Sequence, residues 1–178
     1  MSANDAARTE QKRQFLSFAI GDTHYGAPIL KVKEILQFDG VTRVPGTPSA
    51  VRGVINVRGA VVPVVDLGVK FGRPEVAETK RTCVLVVETA KDGEALTLGV
   101  IADAVNEVID LGDGEIEPPP TFGSGIRLEH VTGMGKVGAG FVVLLDMDRV
   151  LTASEAELAL AAVEGAAQDE APAAAPAA

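Results

Sequence analysis

Residues 51–67, VRGVINVRGAVVPVVDL, restrict the fold of this chain more than any other stretch. Two apolar runs, residues 54–57 and 60–65, flank Arg58-Gly59. β-Branched side chains dominate both runs and favour extended backbone over helix. Neither run alternates cleanly between apolar and polar, so protein is expected to cover both faces of the strands. Glycine takes the positive φ of a tight hairpin without steric cost, and Arg58-Gly59 therefore reads as the turn. Pro63 donates no ladder hydrogen bond and is expected at an edge or a bulge. Arg58 then stands at the tip of a rigid hairpin, either as a solvated turn charge or as a displayed binding residue.

The rest of the chain repeats this style. Residues 15–20 and 23–30 read as strands about the turn Gly21-Asp22, residues 31–38 as extended or irregular, and residues 41–44 as a short strand ended by Pro45. Thr47 and Pro48 look like the N-cap and first residue of a one-turn helix that Gly53 stops. Residues 67–80 form a polar connector. Strands follow at 81–89, 95–102 and 105–111, with Asp92-Gly93 as a hairpin turn. Residues 112–128, including Pro118-Pro119-Pro120, read as loop, and strands at 130–137 and 140–146 close the series. Ser154 with Glu157 makes a capping box for a final helix over 155–163. The Ala/Pro-rich end, residues 166–178, is expected to be disordered, as are residues 1–14. Many short strands at hairpin spacing, with little helix between them, imply an all-β protein. The mid-chain connector favours two small barrels over one sandwich.

Composition narrows the function. A net charge of −9 lacks the basic footprint that nucleic acid or an anionic membrane surface requires. Apolar residues make up 47% of the chain with no Trp and one Tyr, so Val, Ile, Leu and Ala must fill the core. No apolar run approaches the length of a membrane helix, and the polar first 14 residues carry no apolar signal segment. A cytoplasmic location is expected. The single cysteine, Cys83, lies in an apolar run and reads as a small buried hydrophobe.

Catalytic patterns fail on context. Gly133, Gly135 and Gly138 match the dinucleotide fingerprint, but a β-rich run follows where a helix must stand. His24 and His130 have no second metal ligand at suitable spacing. Asp146 and Asp148 read as a strand end, Ser124 lacks the strand–turn–helix of a nucleophile elbow, and Glu115 and Glu117 look solvated. No nucleophile, base and orienting group assemble, so no enzyme, metal or cofactor is expected.

Several motifs together resemble the CheW family of chemotaxis coupling proteins. They are Phe15-Leu16-Ser17-Phe18, His24-Tyr25-Gly26-Ala27-Pro28-Ile29, Val32-Lys33-Glu34-Ile35, Thr42-Arg43-Val44-Pro45, the hairpin above, Asp66-Leu67, Pro118-Pro119-Pro120, Thr132-Gly133 and residues 141–146. The resemblance implies two connected five-stranded SH3-like barrels with a short C-terminal helix. They would divide near residues 15–70 and 81–151, with strand exchange across the join permitted, and the helix would cover 154–164. It also implies an adaptor between chemoreceptor tips and the CheW-like regulatory domain of a histidine kinase, recruited to receptor arrays. By motif match, Val32, Glu34, Gly53 and Arg58 correspond to receptor-binding positions, with Val86 in the same groove between the barrels. Val32 reads equally as core, and Gly53 also as a helix stop. Gly68 departs from the arginine that often follows Asp-Leu in the family. The alternative from another class is a small-ligand or nucleic-acid-binding barrel of OB type, which the charge and scarce aromatics disfavour.

Overall fold

The computed structural model describes residues 12–47, 49–75, 77–91, 93–119, 130–150 and 161. The expected leader, the loop with Ser124, the capping box at Ser154 and the Ala/Pro tail lie outside these residues. Within them the chain forms β1 (Arg13–Ile20), β2 (Thr23–Pro28), β3 (Val32–Gln37), β4 (Val51–Val57), β5 (Ala60–Val65), helix α1 (Leu67–Lys70), β6 (Cys83–Lys91), β7 (Glu94–Ala102), β8 (Ala104–Leu111), β9 (Ile116–Glu117), β10 (Val131–Val137) and β11 (Gly140–Leu145). One sheet runs β8-β1-β2-β11-β10-β9 and the other β3-β6-β7-β5-β4. The architecture is all-β, two SH3-like barrels.

A boundary near residue 70 does not separate the sheets. β1 and β2 pair with the late hairpin β10–β11, while β6 and β7 pair with β3, β4 and β5. Each exchange rests on a short parallel contact: Tyr25 and Gly26 against Val143 and Leu144, and Gly99 and Val100 against Val64 and Val65. Glycine fits closely at both crossings. A Cβ on Gly26 would lie 2.9 Å from Leu144 Cδ2, and one on Gly99 2.7 Å from Val84 Cγ1. The main core draws on both sheets, with Phe18, Tyr25 and Leu145 from one and Val64, Leu85 and Val100 from the other. Phe15, Ile109, Leu111, Val142 and Leu144 form a second core within the six-stranded barrel.

The registers expose a repeat. The β4–β5 and β10–β11 hairpins match position for position: each has a register shift at its first glycine (Gly53, Gly133), a tip (Arg58-Gly59, Gly138-Ala139) and a closing aspartate (Asp66, Asp146). β3 and β8 likewise share the pattern Val-x-Glu, with Glu34 matching Glu107 and Ile35 matching Val108.

Several local expectations need correction. No helix spans residues 47–53: Ser49 and Ala50 form a turn, Arg52 and Gly53 lie inside β4, and Thr47 Oγ1 donates to Val44 O at 2.9 Å. Hydrogen bonding of this strand to β5 outcompetes the local helix signal. β2 ends at Pro28 and a single 3-10 turn, Ile29–Lys31, follows; residues 32–37 are regular strand rather than irregular. Residues 41–44 contribute one bridge, Thr42 to Val54, not a strand. The connector begins with α1, capped where Asp66 Oδ1 accepts from Val69 N.

Candidate functional site

The β4–β5 tip is held in an unusual conformation. Arg58 has φ +52°, making it the one non-glycine residue with positive φ among those described. A left-handed conformation costs an L-residue roughly 1–2 kcal/mol. Asn56 Oδ1 accepts from Gly59 N at 2.9 Å and closes the turn around it. The Arg58 side chain is 82% exposed and reaches Glu34 Oε1 at 3.4 Å across the gap between β4 and β3.

Beside this pair lies a groove of about 460 Å³, walled by Lys33 and Glu34 on β3, Val57, Arg58 and Ala60 to Pro63 on the hairpin, Val86 on β6, and Ala95, Leu96 and Thr97 on β7. It opens because β7 joins β5 only at Val64 and Val65. Upstream of that contact β5 pairs with β4 alone, so Pro63 sits on a local edge of an otherwise internal strand. At the rim, Lys33 Nζ lies 2.6 Å from Glu88 Oε2. That hydrogen bond and charge hold the Glu88 carboxyl below its ordinary range.

Three of the five residues singled out from sequence, Glu34, Arg58 and Val86, therefore meet at one groove. Val32 is half-buried and packs against the main core. Gly53 lies at the register shift in β4, with φ +151°. A Cβ there would collide with the carbonyl of Thr42, so close backbone approach, not helix termination, selects glycine.

Sequence reasoning saw Arg52 only as part of a second Arg-Gly pair within an expected helix turn and gave it no role. It is buried, its Nη1 donates to Asp66 Oδ2 at 3.0 Å, its Nε lies 3.2 Å from Glu75 Oε2, and its guanidinium sits 5.9 Å from the Phe38 ring centre. This cluster ties the base of the hairpin whose tip carries Arg58. The available signal was the opposite charge of Arg52, six residues before Arg58, and Asp66, seven residues after Gly59. Gly68 is buried and closely packed: a Cβ would lie 3.0 Å from Asp66 Oδ1 and 3.2 Å from Ile20 Cγ2, so those side chains would have to yield.

The other flagged residues have structural settings. Gly133 and Gly135 lie in β10 and Gly138 in the turn to β11, so a strand follows the glycine cluster. His130 is buried, with Nδ1 2.6 Å from Arg149 O and its ring near Phe71. His24 is exposed, 2.9 Å from the Asn106 amide. Asp146 Oδ1 accepts from Asp148 N, and Asp148 accepts from Lys31 Nζ and Ala90 N. Glu115 Oε1 accepts from Gly112 N, and Glu117 pairs with Lys136 at 2.8 Å. Burial raises the Cys83 thiol pKa. Among the described residues no group of three metal-ligating side chains forms, and no helix is long and apolar enough to cross a membrane.

Two strand-exchanged SH3-like barrels with a charge-rimmed groove define a small β-barrel protein whose most distinctive side chain faces outward. Residues 14–155 match the CheW-like domain, and the chain belongs to that family. It is 36% identical over 146 residues to the chemotaxis protein CheW of Klebsiella aerogenes, covering 82% of this chain and 86% of that one. It is 33% identical over 129 residues to protein FrzA of Myxococcus xanthus, covering 72% and 78%. The solved structure of the scaffolding protein TtCheW from Thermoanaerobacter tengcongensis matches with a TM-score of 0.72 and 29% identity, over 82% of this chain and 96% of that one. These matches give no support to the OB-type alternative.

Proposed function

We propose that this chain is a non-enzymatic cytoplasmic adaptor that couples chemoreceptor tips to the CheW-like regulatory domain of a chemotaxis histidine kinase. The names of its relatives, chemotaxis proteins and a scaffolding protein, support that role. The observation that carries the site is Arg58. A non-glycine at φ +52° bears a conformational cost that glycine would avoid, and the matching position in the other barrel is Gly138 at φ +59°. Strain of this kind persists where a side chain is needed. Glu34 orients the guanidinium, Val86 supplies apolar floor, and Val32 and Gly53 serve the contact by anchoring β3 and the hairpin. Receptor tips are helical, and a helix docks naturally into an apolar groove with a charged rim.

Co-sedimentation with purified receptor fragments and kinase tests the reading. The wild-type chain is expected in the pellet with both. Arg58→Ala should weaken receptor association by about 1–3 kcal/mol and leave the melting temperature nearly unchanged. A large fall in melting temperature would mark Arg58 as structural, and failure of the wild-type chain to join either partner would remove the adaptor role.

A further inference from the structure

We infer that residues 146–150 act as a strap between the two barrels, with Asp148 as its buckle, and that releasing Asp148 lets the barrels part along this edge while each stays folded. The device stands apart from the adaptor role. On its own barrel the strap is anchored through backbone: Asp146 N donates to His130 O at 2.9 Å, and Arg149 O lies 2.6 Å from His130 Nδ1. Met147 and Val150 are buried in the core that the two sheets share. Asp148 reaches the other barrel. Its Oδ1 accepts from Ala90 N of β6 at 2.8 Å and from Lys31 Nζ at 3.1 Å, and its Oδ2 lies 3.3 Å from the same nitrogen.

Both contacts fall where the five-stranded barrel has run out of partners of its own. Pairing of β3 with β6 reaches no further than Val32 and Val87, so the Ala90 amide stands past the end of that ladder as an open edge donor. Lys31 closes the 3-10 turn, Ile29–Lys31, through which the chain crosses from β2 in one sheet to β3 in the other. One carboxylate thus pins a hairpin end and a crossing to the opposite barrel, through hydrogen bonds strengthened by charge.

The internal repeat shows what this tie replaces. With Gly26 aligned on Gly99, Ala90 matches Gly21, and the Gly21 amide is also accepted by an aspartate, Asp103 Oδ2 at 2.6 Å. Asp103 N donates to Ala19 O, so that aspartate already belongs to the six-stranded barrel. The residue matching Asp103 is Leu30, which carries no acceptor and is 96% exposed. The residue matching Asp148 is Gly68, which has no side chain to reach across. The same amide is therefore satisfied locally in one barrel and from across the join in the other. The return tie, Arg73 Nη2 to Thr23 Oγ1 at 3.0 Å, is exposed and sets a charge only against a neutral hydroxyl.

Spin-label distances across the join test the strap. Labels at the exposed Ala95 on β7 and Asp110 on β8, in a Cys83→Ala background, report the spacing of the two sheets in the full chain. One narrow distribution is expected with Asp148 in place. Asp148→Ala is expected to at least double its width and add a longer distance, with the far-ultraviolet circular dichroism unchanged. Asp103→Ala, which frees the matching amide inside one barrel, should leave the distribution narrow. Should Asp148→Ala not fold, Lys31→Met keeps the Ala90 bond, removes the charge pair and carries the test with a smaller broadening. An unchanged width in whichever of these two variants folds overturns the strap and leaves Asp148 a local cap. Equal broadening by Asp103→Ala overturns it as well, because loss of any edge acceptor would then loosen the join.

Discussion

The β4–β5 and β10–β11 hairpins share a plan and differ in what they hold and display. Each has a register shift at its first glycine, a two-residue tip and a closing aspartate, and each feeds a short parallel contact with a strand from the other half of the chain. The base of the first is an ionic cluster of Arg52, Asp66 and Glu75. At the second, Thr132 Oγ1 donates to Leu144 O, and Asp146 caps the following turn. The first tip carries a strained arginine, the second a relaxed glycine. The same backbone thus serves as scaffold in both barrels, while the costly side chains concentrate at one.

Differences in stability between paired substitutions probe this contrast. The largest effect should come from the hairpin bases. Arg52→Ala leaves the buried Asp66 carboxylate without its guanidinium and is expected to cost about 3–5 kcal/mol in urea unfolding, against about 1 kcal/mol for Thr132→Ala. Equal losses would show that the bases are equivalent. Next come the register-shift glycines. Gly53→Ala forces a Cβ onto the Thr42 backbone at positive φ and should cost about 2–3 kcal/mol. Gly133→Ala meets Glu117 O at 2.8 Å on the two-residue β9, which can move aside, and should cost about 1 kcal/mol.

The tips should respond in opposite directions. Arg58→Gly relieves the left-handed conformation and is expected to stabilise the chain by up to about 1 kcal/mol, whereas Gly138→Ala should destabilise it by about as much. A loss on Arg58→Gly would mean that the arginine supports the fold. The smallest effect belongs to the rim. Glu88 is more acidic folded than unfolded, so its pairing with Lys33 stabilises the chain above the ordinary glutamate range. That contribution fades as pH falls through the lowered value, as protonation of Glu88 overtakes the folded state. Glu88→Gln should flatten the acid limb of a stability–pH curve slightly, and added salt should do the same because the pair is exposed.

Strand identity was largely legible, because β-branched runs such as residues 60–65 and turn pairs such as Arg58-Gly59 act locally. The bulge at Gly53 was not. Thr47-Pro48 is a good local helix start, and only pairing with the distant β5 places Arg52 and Gly53 in a strand. The exchange of strands between barrels was open in the sequence as a possibility but not readable from it, since it rests on two-residue parallel contacts. Family motifs grouped Glu34, Arg58 and Val86 in a groove between the barrels, whereas the groove they line lies within the five-stranded sheet, where β5 and β7 diverge; Leu96 and Thr97 on its wall carry no motif. The repeat of the two hairpins lay in plain view as V-x-G followed by a closing Leu/Val-Asp, yet tip chemistry hid it: Arg58-Gly59 and Gly138-Ala139 do not look alike.

Kinase autophosphorylation in the presence of receptor fragments, with Arg58→Gly replacing the wild-type chain, tests the central claim most directly. A chain that is at least as stable as wild type, yet fails to raise kinase activity in the receptor assembly, is the expected result. Full activation by the glycine variant would contradict it, because the strained arginine would then have no partner to serve.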